Sequence, residues 1–244
     1  MRFLISTIIR NRGIHIPTWC DQLIALSKRN KEHTFDLYVF ENDSTDNTKQ
    51  VLNLVQKKLK PYFNVLSIEI EDCDWPYFGS IKAEERVRYL AKARNRTLDK
   101  ANELVGLEEY DKVVCIEPDV SFDPAEVSSL LHTPHHIVSG YSVLPSGYGV
   151  PDWIYDSWAT RIKQEDPEYL GPKISDLPFH LKLSSTFNCF CVYDAKPFMT
   201  GLRFSDINPL TNQWDCDTTN ICFAFTALGC DDIVMYRIPI LHKV

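Results

Sequence analysis

Glycine is scarce in this chain of 244 residues, and scarcest where a phosphate-binding loop would need it. Of nine glycines only Gly13 lies near the first apolar run. That leaves no Gly-rich phosphate loop of the kind a nucleotidyltransferase usually carries there. Positive charge is also short: 26 Lys and Arg stand against 33 Asp and Glu, a formal net charge of −7. No global field therefore attracts nucleic acid, and the local basic clusters are too small to replace one. No stretch reaches the roughly 18 consecutive apolar residues of a membrane span. The N-terminus lacks the pattern of a secretory signal, because its apolar run meets Arg10 and Arg12 at once and reads as a core strand. Eight cysteines form no CxxC pair and no zinc spacing. Most sit among apolar residues, and a chain this long needs no disulfide staples, so they read as reduced structural thiols. No internal repeat, low-complexity tract or linker divides the chain, which points to one domain.

What is present is close to globular averages, with 44% hydrophobic and 24% charged residues. Over the first 130 residues strand and helix signals alternate. Strands are expected at 2–9, 35–40, 64–71 and 113–116, and helices at 17–29, from a cap at Asp43 or Ser44 through Leu59, at 83–103 and at 124–131. Connections of this length imply a mostly parallel sheet with right-handed crossovers. Residues 134–178 are rich in aromatics and prolines and read as a long irregular, functional stretch. Strands at 185–193 and 233–238 follow, with a helix at 218–228 between them.

Two of these strands end in carboxylates: Glu41-Asn42-Asp43 closes the second, and Glu117-Pro118-Asp119 follows Val113–Ile116. Ligands of open α/β sheets bind beyond the carboxyl ends of strands. Acids there are poor direct partners for phosphate but suit a divalent cation or ribose hydroxyls. Glu117 and Asp119, with His242 as a further candidate, are expected to hold Mn²⁺ or Mg²⁺ bridging a leaving diphosphate. The alternative for the acid pair is a cap region ahead of Pro124. Thr7, Arg10, Asn11, Glu41 and Asp43 would line the nucleoside side, with Asp46 a helix-end carboxylate. Arg94 and Asn95 share a helical turn with Leu90 and Leu98. Arg94 would clamp diphosphate, or else pair with Glu84 or Glu85. Trp153, Tyr155, Asp156, Trp158 and Arg161 concentrate aromatic and polar groups suited to a sugar acceptor. Asp215 and Asp217 are candidates for orienting the acceptor hydroxyl or stabilising a cationic sugar. Sequons at Asn42 and Asn95 fall inside these motifs, where a glycan would block the site, so a cytoplasmic location is expected.

Several blocks together resemble the fungal capsule-associated α-1,3-mannosyltransferases. They are Tyr38-Val39-Phe40-Glu41-Asn42-Asp43-Ser44-Thr45-Asp46-Asn47-Thr48, Arg86-Val87-Arg88-Tyr89-Leu90-Ala91-Lys92-Ala93-Arg94-Asn95 and Asp119-Val120-Ser121-Phe122. Tyr155-Asp156-Ser157-Trp158-Ala159-Thr160-Arg161, Phe187-Asn188-Cys189-Phe190-Cys191-Val192-Tyr193-Asp194-Ala195 and Leu202-Arg203-Phe204 continue the likeness. The resemblance implies a retaining transferase of GT-A type, a Rossmann-like, mostly parallel sheet flanked by helices. It also implies a sugar-nucleotide donor, GDP-mannose or a UDP-sugar, a divalent cation and a glycan acceptor. Residues 1–131 would form a nucleotide-binding half and 132–244 an acceptor-side half. Departures are Glu117-Pro118-Asp119 where the family more often has Asn-Asp, and Asp215-Cys216 where Glu-Cys is expected. Family members typically carry an N-terminal membrane anchor, so either a soluble homologue or a trimmed catalytic domain is expected. Competing readings are a nucleotidyltransferase and a non-catalytic glycan- or nucleotide-sugar-binding subunit.

Overall fold

The computed structural model describes residues 1–145, 148 and 152–243. The front half is built as the apolar runs require. Strands β1 (Arg2–Ile9), β2 (Thr34–Asn42), β3 (Leu66–Glu71) and β4 (Lys112–Ile116) alternate with helices α1 (Ile16–Arg29), α2 (Thr48–Leu59) and α3 (Glu84–Leu104). β1 pairs in parallel with both β2 and β4, and β2 with β3. β1, β2 and β4 are buried on both faces and mostly apolar, whereas β3 at the sheet edge is half-buried and alternates Leu66, Ile68 and Ile70 with polar residues. Along β4, Val114 and Ile116 face a core shared with Trp19 and Leu23 of α1 and Leu52 of α2. Val113 and Cys115 face the opposite core, with Leu98 of α3.

The rear half comprises β5 (Val120–Ser121), α4 (Pro124–Leu131), β6 (Ile137–Val143), β7 (His180–Lys182), β8 (Phe190–Asp194), α5 (Lys196–Met199), α6 (Asp217–Ala227) and β9 (Ile233–His242). The sheet runs β3-β2-β1-β4-β8-β6-β9-β5, with β7 against β9. β8 is antiparallel to β4 and β6, while β6 and β9 are parallel. Parallel ladders hold most of the paired residues, and the expected α/β, GT-A-like architecture stands.

Three expectations are corrected. The second helix starts at Thr48 rather than after Asp43 or Ser44, because Asp46 Oδ1 accepts the Thr48 N–H (2.9 Å) while the preceding residues bind neighbouring loops. The strand expected at 185–193 starts at Phe190, because Asn188 and Cys189 take left-handed backbone angles (φ 51° and 62°). Residues 134–178 are not irregular throughout, since β6 lies inside them as an interior strand. Its signal is broken by Ser139-Gly140, where the register against β9 shifts between Ser139 and Tyr141. All eight cysteines are free thiols. Among the described residues no helix is long and apolar enough to cross a membrane.

At that shift the backbones close up. A Cβ on Gly140 would stand 2.5 Å from the Ile238 carbonyl oxygen and 2.9 Å from Ile240 Cγ1. Gly140→Ala is expected to destabilise the fold by about 1–3 kcal/mol, the range for overpacking a core. A urea midpoint unchanged from wild type would show that the β6–β9 contact yields.

Candidate active site

The carboxyl ends of β1, β2 and β4 open into one cavity, as the crevice rule for α/β sheets requires. Ile8, Ile9, Arg10 and Arg12 line it from the first strand and its following loop, and Glu117 and Asp119 line it from the fourth. Its roof is the segment Trp75, Pro76, Tyr77, Phe78, Gly79 and Ser80, and its back wall is Arg86, Tyr89, Leu90 and Ala93 of α3.

The roof is held by charge. Asp43, itself left-handed (φ 53°), accepts the backbone N–H groups of Cys73 (2.7 Å), Asp74 (2.9 Å) and Trp75 (3.2 Å), and the Asn42 side-chain amide (2.7 Å). Burial acts to raise its pKa, but these donors outweigh it and the carboxyl sits below its usual range. Arg10 donates to the carbonyls of Trp75 (2.8 Å) and Pro76 (2.9 Å) and lies over the Tyr77 ring. Arg86 Nε donates to Gly79 O (2.8 Å). Trp75 and Tyr89 rings lie 5.1 Å apart, giving the cavity an aromatic face.

The remaining residues expected on the nucleoside side knit loops together. Asn11 (φ 52°) donates its N–H to Ser44 Oγ and accepts the Thr45 N–H on Oδ1, both at 2.8 Å. Glu41 is fully buried and accepts the Ser44 N–H at 2.9 Å; its Oε2 has no partner, and burial raises its pKa. Thr7 is buried with its hydroxyl unpartnered. Asn95 caps a rear loop through both backbone groups of Phe204 (2.9 Å each). Of the expected nucleotide-side residues, Arg10 is the one whose side chain borders the cavity.

Arg94 does not pair with Glu84 or Glu85; Arg88 binds Glu84 instead. Arg94 is 6% exposed, with Nη2 on Glu117 Oε1 (2.8 Å), Nε on Asp217 Oδ2 (2.9 Å) and its guanidinium 4.5 Å from the Phe187 ring. Burial raises the Glu117 pKa, Arg94 opposes that, and Asp119 adds to it. Asp119, 5% exposed, is bound by Arg12 Nε at 2.6 Å. The β5–β9 pairing sets Val120 opposite His242, which brings His242 Nε2 to 3.6 Å from Asp119 Oδ2. Burial lowers the His242 pKa, keeping the imidazole neutral, and its Nδ1 is buried with no partner. A neutral imidazole beside a carboxylate suits a cation such as Mn²⁺.

On the acceptor side Asp215 is held in a two-pronged pair by buried Arg161 (2.8 and 2.6 Å). Asn208 Nδ2 and the Cys216 N–H occupy the same two carboxylate oxygens. Trp158 lies under Lys82 and edge-on to Trp214, which is 41% exposed. Trp153 packs on Tyr169, while Tyr155 is half exposed with its ring 4.2 Å from that of His242. Asp156 accepts the Asn188 N–H at 2.9 Å. The roof residues Trp75, Tyr77 and Phe78, with Arg12 and Arg86, were missed as site residues by sequence reasoning. Their signal was the aromatic Trp75-Pro76-Tyr77-Phe78-Gly79 run in a connection with no regular structure between β3 and α3.

A family model described as cryptococcal mannosyltransferase 1 matches residues 2–226. The chain belongs to this family. No curated protein matches by sequence. Among solved structures, Staphylococcus aureus TarS 1–349 in complex with UDP-GlcNAc aligns over 100% of this chain and 59% of its own, at 15% identity and TM-score 0.59. The mannosyltransferase PcManGT from Pyrobaculum calidifontis in complex with GDP-Man and Mn²⁺ aligns over 100% and 57%, at 13% identity and TM-score 0.58. Glucosyl-3-phosphoglycerate synthase from Mycobacterium tuberculosis aligns over 100% and 72%, at 15% identity and TM-score 0.51. These likenesses establish the fold, and the chain spans about three fifths of the length of TarS 1–349 and of PcManGT, and 37% of the longer TarS chain.

Burial, with repulsion from Glu117 and Asp217, raises the Asp156 pKa to about 6 against the restraint of the Asn188 N–H and Arg94. The folded state thus holds a proton that the unfolded chain releases, and stability falls as pH rises from about 4 through 6. Asp156→Asn keeps an acceptor for Asn188 and removes this cost. Its stability gain over wild type is expected to grow by about 1–2 kcal/mol between pH 5 and pH 7.5. Urea unfolding at the two pH values measures it, and a gain independent of pH contradicts the assignment.

Proposed function

We propose that this member of the cryptococcal mannosyltransferase 1 family is a metal-dependent, retaining glycosyltransferase. It would move a hexose, mannose from GDP-mannose in the first instance, from a sugar nucleotide to a hydroxyl of a glycan. The observation that carries the reading is the cavity itself. One wall offers Asp119 with the neutral His242 beside it, and the other offers Arg10, Arg12, Arg86 and the aromatic roof. Asp119 and His242, with Glu117 next to them, would hold the divalent cation. That cation supplies Lewis-acid neutralisation of the departing diphosphate.

The chain's own groups then divide the remaining work. Arg12 both binds Asp119 and lines the cavity, so its guanidinium lies within the site where a diphosphate would be held. The rings of Trp75 and Tyr89, tilted 36° to each other, offer an aromatic surface on which a base could stack. Arg94 acts one step back, fixing Glu117 toward the cavity and Asp217 at the start of α6. Retention is supported by the state of the two rear acids. Asp215 has both oxygens bound by Arg161, and Asp217 is 3% exposed and tied to Arg94, so neither is presented to an acceptor hydroxyl as a base. A front-side mechanism needs no such base, because the leaving phosphate oxygen takes the acceptor proton.

Asp119→Asn should lower transfer by about 10²-fold or more, the scale of losing one preorganised electrostatic group at a reacting centre. It should also abolish the Mn²⁺-dependent part of the thermal stabilisation by GDP-mannose or GDP. Sugar transfer releases nucleoside diphosphate, whereas nucleotidyl transfer releases pyrophosphate. Pyrophosphate among the products, or full activity of Asp119→Asn with unchanged metal dependence, overturns the reading. An absence of metal-dependent nucleotide binding by calorimetry would favour a non-catalytic binding subunit.

A further inference from the structure

We propose that Glu32, His33 and His132 form a second divalent-metal site, for a cation of the Zn²⁺ class. It lies at the amino ends of the parallel strands, away from the nucleotide cavity, and stands independently of the transferase reading. His33 is in the connection before β2 and His132 caps the end of α4, so the site would join two loops about 100 residues apart in sequence. One donor atom from each of the three side chains lies within 4.8 Å of the other two, and the imidazole rings are 5.0 Å apart.

Two further observations point to a ligand. The His33 ring is wedged against Phe3 at 5.5 Å, with its side chain 13% exposed. Its Nδ1 faces the Met1 amino nitrogen (3.3 Å), while its Nε2 is buried with no hydrogen-bond partner. Glu32 Oε1 lies 3.4 Å from that nitrogen. A buried ring nitrogen without a partner is costly in a native fold, and a cation bound at Nε2 would supply one, with the ring proton then on Nδ1 facing the Met1 amine in its neutral form. The second observation concerns the His132 tautomer. Asn30 donates its amide hydrogens to Leu26 O (2.8 Å) and Ser128 Oγ (3.0 Å), so its Oδ1 is left as an acceptor facing His132 Nε2 at 3.3 Å. That contact places the ring proton on Nε2 and leaves Nδ1 with a free lone pair. An outer partner of this kind is what metal-binding histidines regularly have.

Two imidazoles and one carboxylate select Zn²⁺ or a similar borderline cation over Mg²⁺, which prefers oxygen donors. Bonds of about 2.0–2.1 Å in a tetrahedron set donors roughly 3.3 Å apart. Glu32 and His132 are exposed, so side-chain rotation can bring their donors toward the wedged His33, with solvent completing the fourth position.

The test is a Zn²⁺ titration of the full metal-stripped chain in competition with a chromogenic chelator, using Asp119→Asn as background so that the cavity site contributes nothing. One Zn²⁺ per chain is expected in that background, with affinity at least tenfold weaker after adding His132→Gln, and likewise after adding Glu32→Gln. Excess Mg²⁺ is expected not to displace it. His132→Gln alone should leave glycosyl transfer unchanged. Zn²⁺ uptake that is absent in the Asp119→Asn chain, or that is unaffected by both His132→Gln and Glu32→Gln, overturns the proposal.

Discussion

One buried guanidinium ties the active-site end of the molecule together. Arg94 projects from α3 between Glu117, beyond the end of β4, and Asp217, at the start of α6. Burying a charge of either sign costs several kcal/mol unless it is paired, and removing one partner of such a pair leaves the other uncompensated. The three groups are therefore interdependent, and they belong to three elements that contact one another at this point. The Phe187 and Phe204 rings close over the guanidinium and exclude water from it. Glu117 is thereby held at the edge of the cavity, two residues from Asp119. The placing of the acids proposed to face the metal thus depends on a salt bridge whose guanidinium does not itself line the cavity.

The same logic of paired charge extends outward. Asp119 is matched by Arg12, Asp215 by Arg161, and Asp43 by four donors that fix the cavity roof. Arg10 and Arg86 hold that roof from below through its carbonyls. A chain with net negative charge still lines this cavity with Arg10, Arg12 and Arg86, because its acids at this end are engaged one by one. Local arrangement, not overall charge, sets the sign of the field a ligand meets.

The parallel front half was legible because β1, β2 and β4 are buried apolar runs, β3 alternates apolar and polar residues, and each helix has an apolar stripe, so the pattern reports the element directly. The rear half was less so. β6 is interrupted at Ser139-Gly140 where it shifts register, β5 has two residues and β7 three, and none leaves a periodic trace long enough to read. The strand pairing that carries His242 to Asp119 joins residues some 120 apart, a proximity that no local pattern contains. Arg161 and Asp215 were each visible as polar residues near aromatics, but their mutual engagement depends on the fold of the whole rear half.

The contrast between the two acidic strand ends shows why motif and role separate. Glu41-Asn42-Asp43 and Glu117-Pro118-Asp119 share a spacing and a place in the sheet. After β2 the chain turns back at left-handed Asp43, and backbone N–H groups of the roof and of Ser44 converge on the two carboxylates. Amide donors offered at hydrogen-bond distance make a carboxylate a scaffold. After β4, Pro118 offers no N–H, and the acids instead meet guanidinium groups and an imidazole, which are side chains that can exchange partners. A carboxylate met by side chains at its edge can still take a cation, whereas one whose oxygens are filled by backbone N–H groups does not. Identical spacing therefore gives a loop anchor at one strand end and a candidate metal centre at the other.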